Sequence, residues 1–300
     1  MRPTNLTRRA RRALWGYLFV LPWVIGLAVF WVGPTLASFY FGFTEYDIAS
    51  PARFIGLDNY VRALTADELV WPSVRRTVYY SIVLVPAGIF ASLLLAVLLN
   101  EGLKGTTVYR TLFFMPHLVP IVASALLWGW LLHPRIGPVN YVLGRLGLPT
   151  PGWFASPAWA IPACILVALW TGAGGNRMLI FLAGLQGVPE ELHEAAQIDG
   201  AGRWARFCHV TLPMISPTMF FNLILGIIGA LQVFSIAFVA TKGGPSYATW
   251  FYALHIYNQA FSYFRMGYAA ALAWLFALVL IGFTYFQMSL SERWVYYGGG

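Results

Sequence analysis

The residues best equipped for chemistry crowd into one polar stretch, Gln186 to Pro217, which holds Glu190, Glu191, His193, Glu194, Asp199, Arg203 and Arg206. Spacing tests what they could do. Zinc-dependent hydrolysis on a helix needs a second histidine four residues after the first, but the residue four after His193 is Gln197. Direct ATP binding would call for a GxxxxGK[ST] loop, and Gly102 to Thr107 lacks both the spacing and the Lys-Ser/Thr end. Cys164 sits in an apolar run and Cys208 in the polar stretch, so they read as two free thiols rather than a disulfide framework or a metal site. Catalytic and metal-binding constellations are therefore not expected. What remains is recognition, because a carboxylate on a short helix offers a charge-assisted hydrogen bond to Arg or Lys on another surface.

The stretch reads as a helix with both ends marked. Pro189 suits a first-turn position, where its missing N–H costs nothing. Glu190 and Glu191 place negative charge at the positive end of the helix dipole, and Gly200 is positioned to stop the helix in a left-handed turn. Ala195 and Ala196 leave room for close approach by another surface. Gly202 to Val210 is expected as a second short helix, with Trp204, Phe207 and Val210 forming an apolar stripe while Arg203 and Arg206 face elsewhere. Leu212-Pro213 and Pro217 then turn the chain back toward the membrane. On residue chemistry alone, a docking helix and a solvated re-entry loop both remain open.

The elements that must position this stretch are membrane spans. The chain has 300 residues, 59% hydrophobic and 10% charged, against about 25% charged in soluble domains. Six apolar segments, 14–41, 74–99, 109–132, 158–182, 217–240 and 268–288, are each long enough to cross as helices. The expected fold class is therefore all-α, a polytopic membrane protein with six transmembrane helices. Pro22, Pro34, Pro86, Pro116, Pro120 and Pro162 predict kinks or helix starts. Trp128, Trp130, Trp153, Trp159, Trp250 and Trp294, near span ends, read as interface anchors.

The net charge of +8 is not spread as a basic face, so no nucleic-acid partner is expected. Arg2, Arg8, Arg9, Arg11 and Arg12 instead precede the first span, which holds that flank in the cytoplasm. The run that follows is too long for the core of a signal peptide. The expected organisation is a cytoplasmic basic segment over 1–13, a six-span domain over 14–290 with a cytoplasmic loop at 186–217, and a cytoplasmic tail over 291–300 ending in Gly298–Gly300. The loops 44–73, 133–157 and 241–267 then lie outside.

Glu194-Ala195-Ala196, three residues, Gly200, nine residues, then Val210-Thr211-Leu212-Pro213 resembles the EAA loop of ABC importer permeases, with Val210 where Ile is usual. Phe113-Phe114-Met115-Pro116-His117, Gly137-Pro138-Val139-Asn140 and Gly267-Tyr268-Ala269-Ala270-Ala271 are similar to the carbohydrate-uptake branch, which serves maltose-type sugars, lactose and glycerol-3-phosphate. Thr241-Lys242-Gly243-Gly244-Pro245 resembles its Thr-Gly-Gly-Gly-Pro turn, with Lys242 departing from Gly. The resemblance implies a type I importer permease fold in a prokaryotic cell membrane. It implies that Glu190, Glu191, Glu194, Ala195, Ala196, Asp199, Gly200, Ala201, Arg203, Leu212 and Pro213 serve coupling to an ATPase, with Arg206 flanking the same socket. It also implies a non-catalytic chain without a cofactor of its own, since ATP and Mg belong to a partner ATPase dimer. The remaining implied partners are a second homologous permease, an external binding protein and a sugar or glycerol phosphate.

A substrate path should place polar or aromatic side chains inside apolar spans. Gln232, Asn222 and Ser235 are the first candidates, followed by Asn176 and Thr171, with Phe234 and Tyr252 as stacking rings. Helix-to-helix hydrogen bonding explains such residues equally well. Arg177 is the one charge more than two residues inside a span, and is expected to snorkel toward the cytoplasmic surface. The alternative function, an ion-coupled secondary carrier, calls for buried acidic relays, and no Asp or Glu lies in the middle of any span. His117, a lone intramembrane His, is expected to be satisfied by packing partners.

Overall fold

The structure is a computed structural model that describes residues 5–102, 104–292 and 294–296, with backbone alone for 5–9. The side chains of Arg8 and Arg9, and all of Arg2, Arg293 and Gly298–Gly300, lie outside the described residues. The described residues form two compact units, those up to 67 with 256–277, and those from 68 to 255 with 278 onward.

The first unit begins with α1 (Asn5–Leu27), which passes through a π turn (Ala28–Val32) into α2 (Gly33–Phe41). Residues 10–41 form one apolar helix of 32 residues, and none of its most apolar window is buried inside the protein. Such a surface is stable against lipid, not water. The π turn ends two residues before Pro34, whose missing N–H breaks the regular ladder there. A two-stranded antiparallel ribbon follows, β1 (Thr44–Glu45) with β2 (Arg53–Phe54), closed by an Arg53–Glu45 ion pair. The ribbon is tied to α3 (Asp58–Thr65) by Asn59, whose Nδ2 donates to the carbonyls of Gly42 and Thr44 at 3.1 and 2.8 Å.

The second unit opens with α4 (Val70–Asn100), a 31-residue span around which the others pack. After it come α5 (Thr106–Leu118) and α6 (Ile121–Leu131), which meet at 94°. The bend has a local cause: Pro120 cannot donate to the preceding turn and pushes Val119 into extended backbone (φ −73°, ψ 125°). An outlying helix, α7 (Pro138–Arg145), precedes α8 (Ala160–Gly172) and α9 (Asn176–Gln186), which are bent by 50°. That break holds Gly174 and Gly175, where α5 comes so close that an added Cβ would strike the Phe113 carbonyl and the His117 ring. His117 Nδ1 lies 3.3 Å from the Thr171 carbonyl, a partner of the packing kind expected.

Next are the short helices α10 (Glu190–Ile198), α11 (Arg203–Arg206) and α12 (Leu212–Met214). They lead into α13 (Ser216–Leu231) and α14 (Ser235–Ala240), then α15 (Tyr252–Tyr257) and the last long helix, α16 (Met266–Ser291), which both units share. Among the described residues four helices are long and apolar enough to cross a membrane, and six spans result when each bent pair counts as one. The core under α4, α8 and α13 is made of Tyr80, Val85, Cys164, Val167, Ala230 and Phe251.

The loop before α8 is fastened by one buried amide. Asn140 Nδ2 donates to the carbonyls of Pro134 (3.1 Å) and Pro151 (2.9 Å), and its Oδ1 accepts from Trp153 Nε1 at 2.7 Å. Trp153 thus has a structural partner besides any interfacial role. Asn140→Ala leaves three half-buried groups without their partner and is expected to destabilise the protein by about 1–2 kcal/mol, read as a lower melting temperature in detergent; an unchanged melt would show that the staple contributes nothing.

Candidate coupling loop and helix-lined cavity

The polar stretch forms α10 with defined ends. Pro189 is the N-cap itself, in extended backbone (φ −60°, ψ 133°), one position earlier than its composition suggests, and Glu190 and Glu191 occupy the first turn. At the other end Gly200 adopts φ +82°. Its N–H donates to Gln197 O at 3.0 Å while Ala201 N–H donates to Ala196 O at 2.9 Å. These two bonds are the Schellman pair that satisfies the last carbonyls of a helix. Nothing lies within 4 Å of a Cβ built on Gly200, so only its conformation resists substitution. Gly200→Ala is therefore expected to cost about 1–2 kcal/mol of local helix stability, seen as faster amide exchange at Ala201 with little change in global melting.

Helical spacing divides α10 into two faces. His193 and Ala196 are half-buried and face α11, with which α10 packs. Glu191, Glu194, Ala195 and Ile198 recur at i, i+3, i+4 and i+7 and are all exposed, Ile198 at 87%. The carboxylates of Glu190, Glu194 and Asp199 make no hydrogen bond or ion pair among the described residues. The outward face thus offers free carboxylates around a small central residue and one bare aliphatic side chain.

The second short helix differs from its expected form. α11 runs into a π turn (Phe207–Thr211) and on through α12, so Leu212-Pro213 continue the helix and the chain turns only at Ile215. Trp204 is 77% exposed, with Phe207 stacked on it at 5.7 Å, whereas Arg206 is half-buried and its Nη1 reaches Gln197 Oε1 at 3.4 Å. Of the expected apolar stripe only Trp204 points outward, Phe207 and Val210 being half-buried, and Arg206 braces α10 from behind. Arg203 is exposed beside it.

A second feature lies among α4, α8, α9, α13 and α14. A cavity of about 300 Å³ is lined by Tyr80, Thr171, Arg177, Gly226, Phe234 and Ser235, with aliphatic side chains between them. The structure brings Thr171, Phe234 and Ser235 together here and places the other path candidates elsewhere. Gln232 is exposed at the end of α13, and Asn176 is exposed at the start of α9. Asn222 is buried with Nδ2 on Thr218 O at 3.0 Å. Tyr252 is buried, with its backbone N–H on Thr77 Oγ1 at 2.9 Å. Arg177 does not snorkel. Its guanidinium turns into the helix packing between Gly88 and Gly226, where a Cβ on Gly88 would collide with Nη1 and one on Gly226 would lie 3.3 Å from Nη2. The signal for that direction was two glycines on other helices, which spacing within one segment does not reveal.

Long apolar helices, two of them broken, with one exposed polar loop define a multi-span membrane transport component. The chain belongs to the family of binding-protein-dependent transport system inner membrane components, which matches residues 85–295. It is 39% identical over 286 residues to a probable ABC transporter permease, YesP, of Bacillus subtilis, covering 94% of this chain and 92% of that one. It is 36% identical over 294 residues to the trehalose/maltose transport system permease MalF of Thermococcus litoralis, covering 96% and 98%. Among solved structures it resembles a chain of a bacterial ABC transporter involved in the import of the acidic polysaccharide alginate, with a TM-score of 0.85, 27% identity and 97% and 99% coverage. The chain is an importer permease with the fold of that class, not a secondary carrier.

Proposed function

We propose that this chain is one of two permeases in an ATP-driven importer that moves a sugar or a related polyol or glycerol phosphate, delivered by an external binding protein. Both termini and the loop 186–217 face the cytoplasm. There α10 seats in a cleft of a separate ATPase, of which two copies bind ATP and Mg; the chain itself catalyses nothing. The observation that carries this reading is the outward face of α10, with Glu191, Glu194, Ala195 and Ile198 exposed on a helix locked at Gly200. Closure of the ATPase moves α10 as a rigid body, because its C-terminal carbonyls are already satisfied and Arg206 holds its back. The motion passes through α9 and α13, which pack together on α4.

Support for a carbohydrate cargo comes from the relatives, whose names include trehalose/maltose and alginate. The test is co-purification in mild detergent: a cytoplasmic ATPase and a second permease are expected to elute with this chain, and elution of this chain alone as an active carrier would overturn the reading.

A further inference from the structure

Arg177 sits where a cation is disfavoured on several counts. It lies in the first turn of α9, at the positive end of the helix dipole. Nine residues separate it from the loop end of that helix, a rise of about 13 Å that sets it below the headgroup zone. Its guanidinium has no hydrogen bond or ion pair among the described residues, and no carboxylate lies in the middle of any span. Two glycines, Gly88 and Gly226, are required to admit its guanidinium. A cation built in at this depth without a partner, on the wall of a cavity, is completed by an anion from outside the chain.

We propose that this cavity is a binding site for the anionic group of the cargo, a carboxylate or phosphate carried on a polyol, with Arg177 as its counter-ion. The proposal rests on the importer reading above and narrows it, since the relatives' names span both neutral and acidic cargo. The guanidinium fork matches the two oxygens of a carboxylate or phosphate. Around it, the Tyr80, Thr171 and Ser235 hydroxyls and the Phe234 ring provide hydrogen-bonding groups and a stacking face for the attached polyol. Thr171 Oγ1 donates to the Val167 carbonyl at 3.1 Å, so its lone pairs can still accept from a hydroxyl. A volume of about 300 Å³ suits one sugar-sized unit at a time.

The test uses the whole importer, with its partner permease, ATPase and binding protein, in proteoliposomes. Uptake of digalacturonate, glycerol-3-phosphate and maltose is compared in wild type, Arg177→Gln and Arg177→Lys. The expected result is wild-type uptake of an anionic probe, lowered at least tenfold by Arg177→Gln and restored in part by Arg177→Lys. Arg177→Gln should still co-purify with the partner permease and the ATPase, which shows that the complex still assembles. Uptake of maltose alone, of no anionic probe, or of anionic probes by Arg177→Gln at the wild-type rate overturns the proposal. Loss of ATPase stimulation in the wild type would instead strike the importer reading itself.

Discussion

Glu194→Ala is expected to lower uptake by roughly ten- to a hundredfold while the protein melts at its wild-type temperature. The Glu194 side chain is exposed on α10 and bonds to nothing within the described residues, so its removal disturbs no packing; exposed substitutions of this kind change stability by about 0.5 kcal/mol or less. The side chain's value lies in the charge-assisted bond that it offers a cationic partner, about 1.5–3 kcal/mol when lost. Gly200→Asp is expected to act on the same interface by another route. At φ +82° a substituted residue strains the Schellman turn that ends α10, so the helix frays where it must stay rigid. In reconstituted complexes both variants should hydrolyse ATP without matching transport, and normal, cargo-stimulated uptake by Glu194→Ala would count against the role assigned to that face.

Gly174→Val is expected to do the opposite, removing the fold and transport together. A Cβ at this position would fall on the carbonyl of Phe113, with Phe113 Cβ 3.2 Å away. Backbone cannot yield there as a flexible side chain could, so α5 must separate from the α8–α9 break. The expected loss is about 3 kcal/mol or more, at the upper end of overpacking costs. Gly172 is the internal control. It stands in the same glycine-rich break with nothing within 4 Å of an added Cβ, and Gly172→Ala should melt at or slightly above the wild type. Equal melting temperatures for Gly174→Val and Gly172→Ala would show that the close approach of α5 does not hold the bend.

The contrast between these glycines marks what the sequence discloses. The spans are legible because a chain crossing lipid must be apolar over about 20 residues and must bond its own backbone. The bend at Val119 is legible too, since Pro120 constrains its neighbour locally. The bend at Gly172–Gly175 is not, because its cause is the approach of Phe113 and His117 from another helix. The same division holds in the loop. Both ends of α10 can be read from Pro189, the two first-turn carboxylates and Gly200, all of which act within a turn. The faces of α11 cannot, because what draws Arg206 inward is Gln197 on α10, a partner on another helix, while Trp204 stays exposed. Arg177 is the sharpest case. A long charged side chain in a span is read as snorkelling when only its own segment is considered, and the space that draws it inward belongs to Gly88 and Gly226. The polar candidates divide in the same way, since Asn222 turns back to its own helix at Thr218 whereas Ser235 reaches the cavity.

The central claim is that the outward face of α10 is the seat of a separate ATPase. Its most direct test is a photo-crosslinking residue, benzoylphenylalanine, placed at Ile198, which is 87% exposed on that face, and in parallel at Ile48, which is 62% exposed in the segment after β1. In membranes carrying the whole transporter, irradiation should give an adduct of permease and ATPase from position 198 and none from position 48. Absence of the adduct at 198, or its formation at 48, would contradict the account.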